Sequence, residues 1–138
     1  MYLLDTNVIS ELRKSNADAN VVTWAKKIPT NELYLSSITI LEIEMGILRV
    51  ERKDKTQGLA LRAWLENTVI PEFKDRTLNV DIYVARTCAQ LHVPNPKSER
   101  DALIGATALV HNMPIVTRNT KDFEGMNLRL INPWDDPN

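Results

Sequence analysis

Residues Arg100–Asn112, which read RDALIGATALVHN, and Ile115-Val116-Thr117, which follow across Met113-Pro114, decide the fold. The first piece is dominated by Ala and Leu, strong helix formers, over several turns. The second is a short β-branched apolar run between Pro114 and the polar Arg118-Asn119, which reads as a buried strand. Leu128-Arg129-Leu130-Ile131 then forms a last strand, stopped by Pro133. A helix leading into a short apolar strand is the repeating unit of an α/β domain with a covered sheet.

Working outward, the rest of the chain repeats the alternation. Tyr2–Leu4 is a short apolar strand that runs at once into Asp5-Thr6-Asn7, a helix start, and the helix continues through Leu12. Ser15–Asn20 is polar, and a second helical segment from Val21 to Lys27 ends before Pro29. Glu32–Ser36 reads as the second strand. Ile38–Val50 follows with Ile40, Leu41, Met45 and Leu48 at helical spacing. Another helix spans Thr56–Val69 and stops at Pro71, and Arg76–Val80 forms a third strand. Asp81–Leu91 is a helix broken by Pro94-Asn95-Pro96. Short strands linked by helices predict a parallel α/β sheet with helices on both faces. The pattern contains no internal repeat and no linker, so residues 1–138 are expected to form a single domain.

Composition narrows the function classes. The single Cys88 excludes an intramolecular disulfide and a thiolate zinc site. No apolar run approaches the roughly 18–20 residues that span a bilayer. The N-terminus lacks the basic and apolar pattern of a signal peptide. These features predict a cytoplasmic protein without a membrane partner. A net charge of −1 lacks the basic excess common in nucleic-acid binders. Bound cations and local basic residues, with Arg13, Lys14, Arg118 and Lys121 the candidates, would have to supply that attraction. The run Arg49, Arg52, Lys53 and Lys55 is interrupted by Glu51 and Asp54 and reads as a solvated helix end.

In a parallel sheet, ligands collect at the carboxyl ends of the strands. Asp5 follows the first strand directly. Glu42 lies about one turn into the helix after the second, with its side chain leaning back toward the helix N-terminus. Asp101 stands at the start of the Ala-rich helix, and Asp122 follows Thr117-Arg118-Asn119. Four carboxylates on one sheet edge would repel unless a hard cation joined them. Mg²⁺ or Mn²⁺ suits oxygen donors, whereas zinc would want the His or Cys cluster that is missing here. Thr6, Thr117 and Asn119 are small polar residues at the same edge, suited to orienting carboxylates or holding water.

Each acid also has a local reading. Asp5 is a natural N-cap; Thr39–Glu42 and Ser98–Asp101 have capping-box spacing; Asp122 is a turn residue. His92 and His111 read as surface or helix residues and Cys88 as a core thiol. Trp24 and Trp64 read as core or dimer anchors, and Trp134 as a cover for a sheet edge or a partner contact.

Four blocks of this sequence resemble the PIN-domain family. Leu3-Leu4-Asp5-Thr6-Asn7-Val8 resembles its N-terminal signature, and Ser37–Gly46 the helix with its internal glutamate. Asp101–Ala108 resembles the helix with its third acid, and Val116–Phe123 its closing motif. The blocks stand in family order from residue 3 to 123. The resemblance implies a PIN-like three-layer sandwich with a central parallel sheet of about five strands. It further implies Asp5, Glu42 and Asp101 as the metal-binding acids. Some relatives carry an acid at the position of Asn119, so either Asn119 or Asp122 completes the set, and metal number stays open.

The Thr-Arg-Asn-x-x-Asp-Phe ending is similar to that of VapC/FitB-like toxins. That subgroup implies a homodimer, a cognate VapB-like antitoxin and RNA as substrate. The expected function is therefore a Mg²⁺- or Mn²⁺-dependent endoribonuclease, the toxin of a toxin–antitoxin module that inhibits translation and growth, with Asp5, Glu42, Asp101 and Asp122 catalytic. Two alternatives remain. An Asp-nucleophile phosphatase or phosphoacceptor would also place an aspartate after the first strand, although Asn7 stands where the phosphatase signature wants its second aspartate. A non-catalytic binding module would use the same acids only as caps.

Overall fold

The computed structural model describes residues 1–135. Five strands, β1 (Tyr2–Leu4), β2 (Leu33–Ser36), β3 (Thr77–Leu78), β4 (Ile115–Val116) and β5 (Leu130–Ile131), form one sheet in the order β3-β2-β1-β4-β5. Every neighbouring pair is parallel. The helices are α1 (Thr6–Arg13), α2 (Ala19–Lys26), α3 (Ser37–Glu51), α4 (Lys55–Trp64), α5 (Ile70–Glu72), α6 (Ile82–Leu91) and α7 (Glu99–Val110).

The two-residue period of the strands sorts their side chains onto two faces. Leu4, Leu33, Leu35 and Val116 join Val8 and Ile9 of α1, Ile43 and Ile47 of α3, and Leu65 and Val69 on one side. Leu3 and Ile115 join Ile104 and Ala108 of α7, with Met113, Phe123 and Met126, on the other. A smaller cluster of Val84, Cys88, Ala102 and Ala106 packs α6 on α7, where the alanines let the helices approach. The result is the expected three-layer arrangement. Because strands of two to four residues supply few hydrogen bonds, this two-sided apolar burial carries the sheet.

Several boundaries differ from the sequence reading for physical reasons. Glu32 belongs to a 3₁₀ turn (Thr30–Glu32) ahead of β2. The third and last strands shrink to Thr77–Leu78 and Leu130–Ile131, the two edge strands, where only one neighbour holds the backbone extended. The long helix does not stop at Pro71. Its turn widens to a π turn over Leu65–Val69, and Pro71 sits inside the short α5 that follows. The wider turn relieves the crowding that a proline ring causes in a regular α-helix. Gly58 lets α4 lie against α3, since a Cβ there would stand 2.9 Å from Glu51 Cα. Across the same interface Arg62 bridges Glu51 and Glu44.

The topology fixes the location of the site. From β1 the chain builds outward to β2 and β3 on one side, then returns to place β4 and β5 on the other. The carboxyl ends of β1 and β4 therefore flank the switch point where the order reverses, which opens a crevice. Asp5 N–H donates to Val116 O at 2.9 Å, so the first acid is stitched to the end of β4.

Candidate active site

Asp5 is only 7% exposed. It caps α1, with Oδ1 accepting from Thr6 N–H at 2.9 Å. Its other oxygen, Oδ2, accepts from Thr117 Oγ1 at 2.8 Å and from Asn7 Nδ2 at 3.3 Å. Burial pushes this carboxyl above its usual range. The hydrogen bonds from Thr117 and Thr6 oppose the rise, and the charges of Glu42 and Asp122 add to it. The cap thus occupies one oxygen, while the other faces Thr117 and Asn7 at the end of β4.

Glu42 does not act as a capping-box acid. Ser36 caps α3, its Oγ accepting from Ile38 N–H at 3.0 Å. Glu42 Oε1 instead accepts from Thr6 Oγ1 at 2.6 Å, a bond between α1 and α3. Thr39, fully buried, places its hydroxyl 3.4 Å from the same Thr6 oxygen. The other Glu42 oxygen lies 3.8 Å from Arg100 Nη1.

Asp101 sits in the first turn of α7, behind the N-cap residue Ser98, whose side chain makes no cap hydrogen bond. Burial pushes its carboxyl up to about 6, helped by the negative charges of Asp122, Asp5 and Glu42 and opposed by the Ser98 hydroxyl. The acids of the other three segments thus stand near enough for their charges to act on Asp101. Asp122 lies exposed in a 3₁₀ turn (Thr120–Phe123), anchored by the buried Phe123 beneath it.

All four acids therefore meet at the β1/β4 crevice. Among the described residues, however, no three Asp, Glu, His or Cys side chains stand close enough together to hold a metal ion as they are placed.

The supporting residues divide. Thr117 is fully buried and bonds Asp5. Thr6 serves Asp5 through its backbone and Glu42 through its hydroxyl. Asn119 is exposed and contributes its backbone N–H, which donates to Thr117 Oγ1 at 3.0 Å. Sequence reasoning passed over Asn7, Thr39 and Arg100 as site residues. Asn7 was detectable, because a polar side chain two residues after the acid, on the first turn of α1, faces back toward the strand ends.

The remaining candidates fall outside the acidic cluster. His92 and His111 are the C-cap residues of α6 and α7, and Cys88 is buried. Trp24 and Trp64 pack against the core, Trp24 edge-on to Tyr2 with ring centres 5.5 Å apart. Trp134 packs on the same core, accepts a hydrogen bond at its carbonyl from Asn20, and carries the Arg118 guanidinium 5.2 Å above its ring. Arg13 lies over Trp64, and Lys14 pairs with Glu11. The basic residues at 49, 52, 53 and 55 are exposed at the α3–α4 junction, as expected of a solvated helix end.

Comparison with known proteins agrees with this geometry. The family profile described as "PIN domain" matches residues 2–127. The chain is 36% identical over 140 residues to the VapC ribonuclease Y4jK of Sinorhizobium fredii, covering 98% of this chain and 99% of that one. It is 34% identical over 141 residues to the toxin FitB of Neisseria gonorrhoeae, covering 99% and 100%. Its structure is similar to the crystal structure of FitAcB from Neisseria gonorrhoeae, with a TM-score of 0.89 at 32% identity over 97% of this chain and 99% of that chain. Sequence order, sheet topology and these full-length likenesses agree, and the chain belongs to the PIN-domain family.

Proposed function

We propose that this protein is an endoribonuclease that hydrolyses RNA phosphodiester bonds with a bound Mg²⁺ or Mn²⁺, and that it is the toxin of a toxin–antitoxin pair. The observation that carries the reading is the gathering of Asp5, Glu42, Asp101 and Asp122 around the switch point, where burial raises Asp5 and Asp101 and the charges of neighbouring acids add to the rise. Full-length relatives named as a ribonuclease and as a toxin support it.

The donor set fits a hard divalent cation. It consists of carboxylates with neighbouring hydroxyls, and the nearest compensating charge is Arg100, 3.8 Å from Glu42. Asp5, Glu42 and Asp101 are the residues that would hold the ion, with Asp122 completing the catalytic set. Such a cation, when bound, supplies an activated water and stabilises the charge that builds on the phosphate. The protein's part is orientation. Thr117 and the Thr6 backbone fix Asp5, while the Thr6 hydroxyl fixes Glu42 across the α1–α3 gap. Arg118 and Lys121 border Asp122 and would meet the RNA backbone beside the acids. Neutralising them is expected to weaken RNA binding and flatten its salt dependence.

The proposed partners are RNA, a cognate antitoxin that blocks the acidic crevice, and a second copy of the chain. The structure of FitAB bound to a DNA fragment, similar to this chain at 33% identity and a TM-score of 0.87, supports a protein partner. No described helix is long and apolar enough to cross a membrane, and the proposed setting is the cytoplasm. The chain is read as one domain over residues 1–138.

The test is cleavage of total bacterial RNA, including intact tRNAs, by purified protein with Mg²⁺ or Mn²⁺, beside EDTA and Asp5→Ala controls. Discrete fragments that vanish in both controls are expected. Fragments that persist with Asp5→Ala would overturn the assignment of the site.

A further inference from the structure

Asn7 links the ends of β1 and β4 through three hydrogen bonds, and their chemistry leaves little freedom. The Arg118 backbone N–H can only donate, so the amide oxygen of Asn7 must face it, at 3.2 Å. The amide nitrogen is thereby turned toward the crevice. There it stands 3.3 Å from Asp5 Oδ2 and 3.3 Å from Thr117 Oγ1.

Thr117 Oγ1 consequently receives two donors, Asn7 Nδ2 at 3.3 Å and Asn119 N–H at 3.0 Å. A threonine hydroxyl has two lone pairs and one proton. With both lone pairs engaged, the proton has a single acceptor left, Asp5 Oδ2 at 2.8 Å. We infer that Asn7 is a positioning residue for the nuclease reaction: it sets the direction of the Thr117–Asp5 hydrogen bond and ties Asp5 to the loop that carries Asn119 and Asp122. This inference rests on the reading of Asp5 as a cation-binding acid.

Two functions are separable in the geometry. The amide oxygen braces the Arg118 backbone, which is a matter of stability. The amide nitrogen orients Thr117 and Asp5, which is a matter of catalysis. Without that nitrogen, Asp5 Oδ2 loses one of its two donors and the Thr117 proton is free to turn elsewhere. Groups that orient metal-binding carboxylates in this way typically change cation affinity or activity by about 10–100-fold when removed.

Three variants separate the functions: Asn7→Ala, Asn7→Asp and Thr117→Val, with the Asn7→Ala/Thr117→Val pair combined. Asn7→Asp keeps the shape and the acceptor for Arg118 N–H but has no N–H to give. Mn²⁺ affinity is read by calorimetric titration, kcat and KM from RNA cleavage, and Tm without cation. Asn7→Ala is expected to lower Mn²⁺ affinity and kcat about tenfold, with KM for RNA within about twofold. Asn7→Asp is expected to lower kcat by at least as much, because it places an acceptor where Asp5 Oδ2 and Thr117 Oγ1 face a donor. The double variant is expected to lose less than the product of the two single losses, since Asn7 acts on Asp5 partly through Thr117.

Wild-type kcat in Asn7→Asp, or single-variant losses that multiply in the double variant, would overturn the inference. So would an Asn7→Ala variant that changes Tm alone. An Asp5→Asn control distinguishes the deeper failure. If Asp5→Asn still binds Mn²⁺, the reading of the site falls and this inference with it. If Asp5→Asn loses Mn²⁺ while Asn7→Ala keeps it, only the role of Asn7 falls.

Discussion

Lowering the pH from 7 to 5 is expected to weaken Mn²⁺ binding about tenfold through Asp101 alone. Burial, then repulsion from Asp122, Asp5 and Glu42, raises this carboxyl to about 6. A cation needs the carboxylate, so proton and cation compete, and the apparent Kd scales as one plus the ratio of protonated to ionised acid. With a value of about 6, that factor is about 1.1 at pH 7 and about 11 at pH 5. Asp5 is shifted in the same direction and adds to the competition wherever it takes up a proton. The sign for the cation-free protein follows from the same shift. Asp101 titrates higher in the fold than its ordinary 3.8, so the folded state holds more protons between the two values. Its charge therefore opposes folding above about pH 6, and that opposition fades as the pH falls toward about 4. Calorimetric Mn²⁺ titrations at pH 5, 6 and 7, with Asp101→Asn alongside, test the reasoning. Asp101→Asn should bind Mn²⁺ more weakly, lose much of the pH dependence, and melt higher than wild type at pH 7 without cation. A wild-type affinity that is flat from pH 5 to 7, or an unchanged slope in Asp101→Asn, would refute it.

Other consequences concern packing and the supporting bonds. Thr6→Val removes the 2.6 Å donor from Glu42 and should lower kcat about tenfold. The lost charge-assisted bond should cost about 1.5–3 kcal/mol in urea unfolding; unchanged kinetics would remove Thr6 from the site. In Gly58→Ala the new methyl meets Glu51 Cα at 2.9 Å and Cγ at 2.7 Å, so α3 and α4 must separate. The overpacking cost of about 1–3 kcal/mol should outweigh the roughly 1 kcal/mol gained in helix propensity, and a higher urea midpoint would contradict this. Leu35→Ala in the fully buried centre of β2 should cost about 2–5 kcal/mol, read as a lower midpoint at unchanged slope.

Local chemistry made most of the fold legible. Asp5 as an N-cap, the Ala-rich α7 and the β-branched Ile115-Val116 state their elements without tertiary help. What stayed illegible depended on neighbours. Nothing local shortens the third strand to Thr77–Leu78; that follows from its place at the sheet edge. Nothing local forecasts a π turn before Pro71, since it depends on how the widened backbone packs Leu65 and Val69 into the core. The same division runs through the site. The four acids were found because strand ends gather ligands, whereas Arg100 beside Glu42 is a contact between α7 and α3 that no spacing encodes. The Thr39–Glu42 spacing even pointed the wrong way, because Ser36, not Thr39, closes the start of α3.

In Asp5, capping a helix and the proposed place in a cation site need not be rival explanations of one residue. A carboxylate has two oxygens, and a switch point offers it two kinds of partner, its own helix and the end of the neighbouring strand. Asp5 gives Oδ1 to the Thr6 backbone and Oδ2 to Thr117 and Asn7. The capping bond thus aims the acid as well as ending the helix, and its donors offset part of the cost of burying the charge. Asp101 is less buried yet has only the Ser98 hydroxyl in its favour, so the repulsion of the other three acids falls on it with little opposition. The cluster therefore contains one acid held fixed by its hydrogen bonds and one left exposed to the field of the rest. As the pH falls, burial and the charges of the other three acids favour a proton on Asp101, while hydrogen bonds hold Asp5 in place beside it.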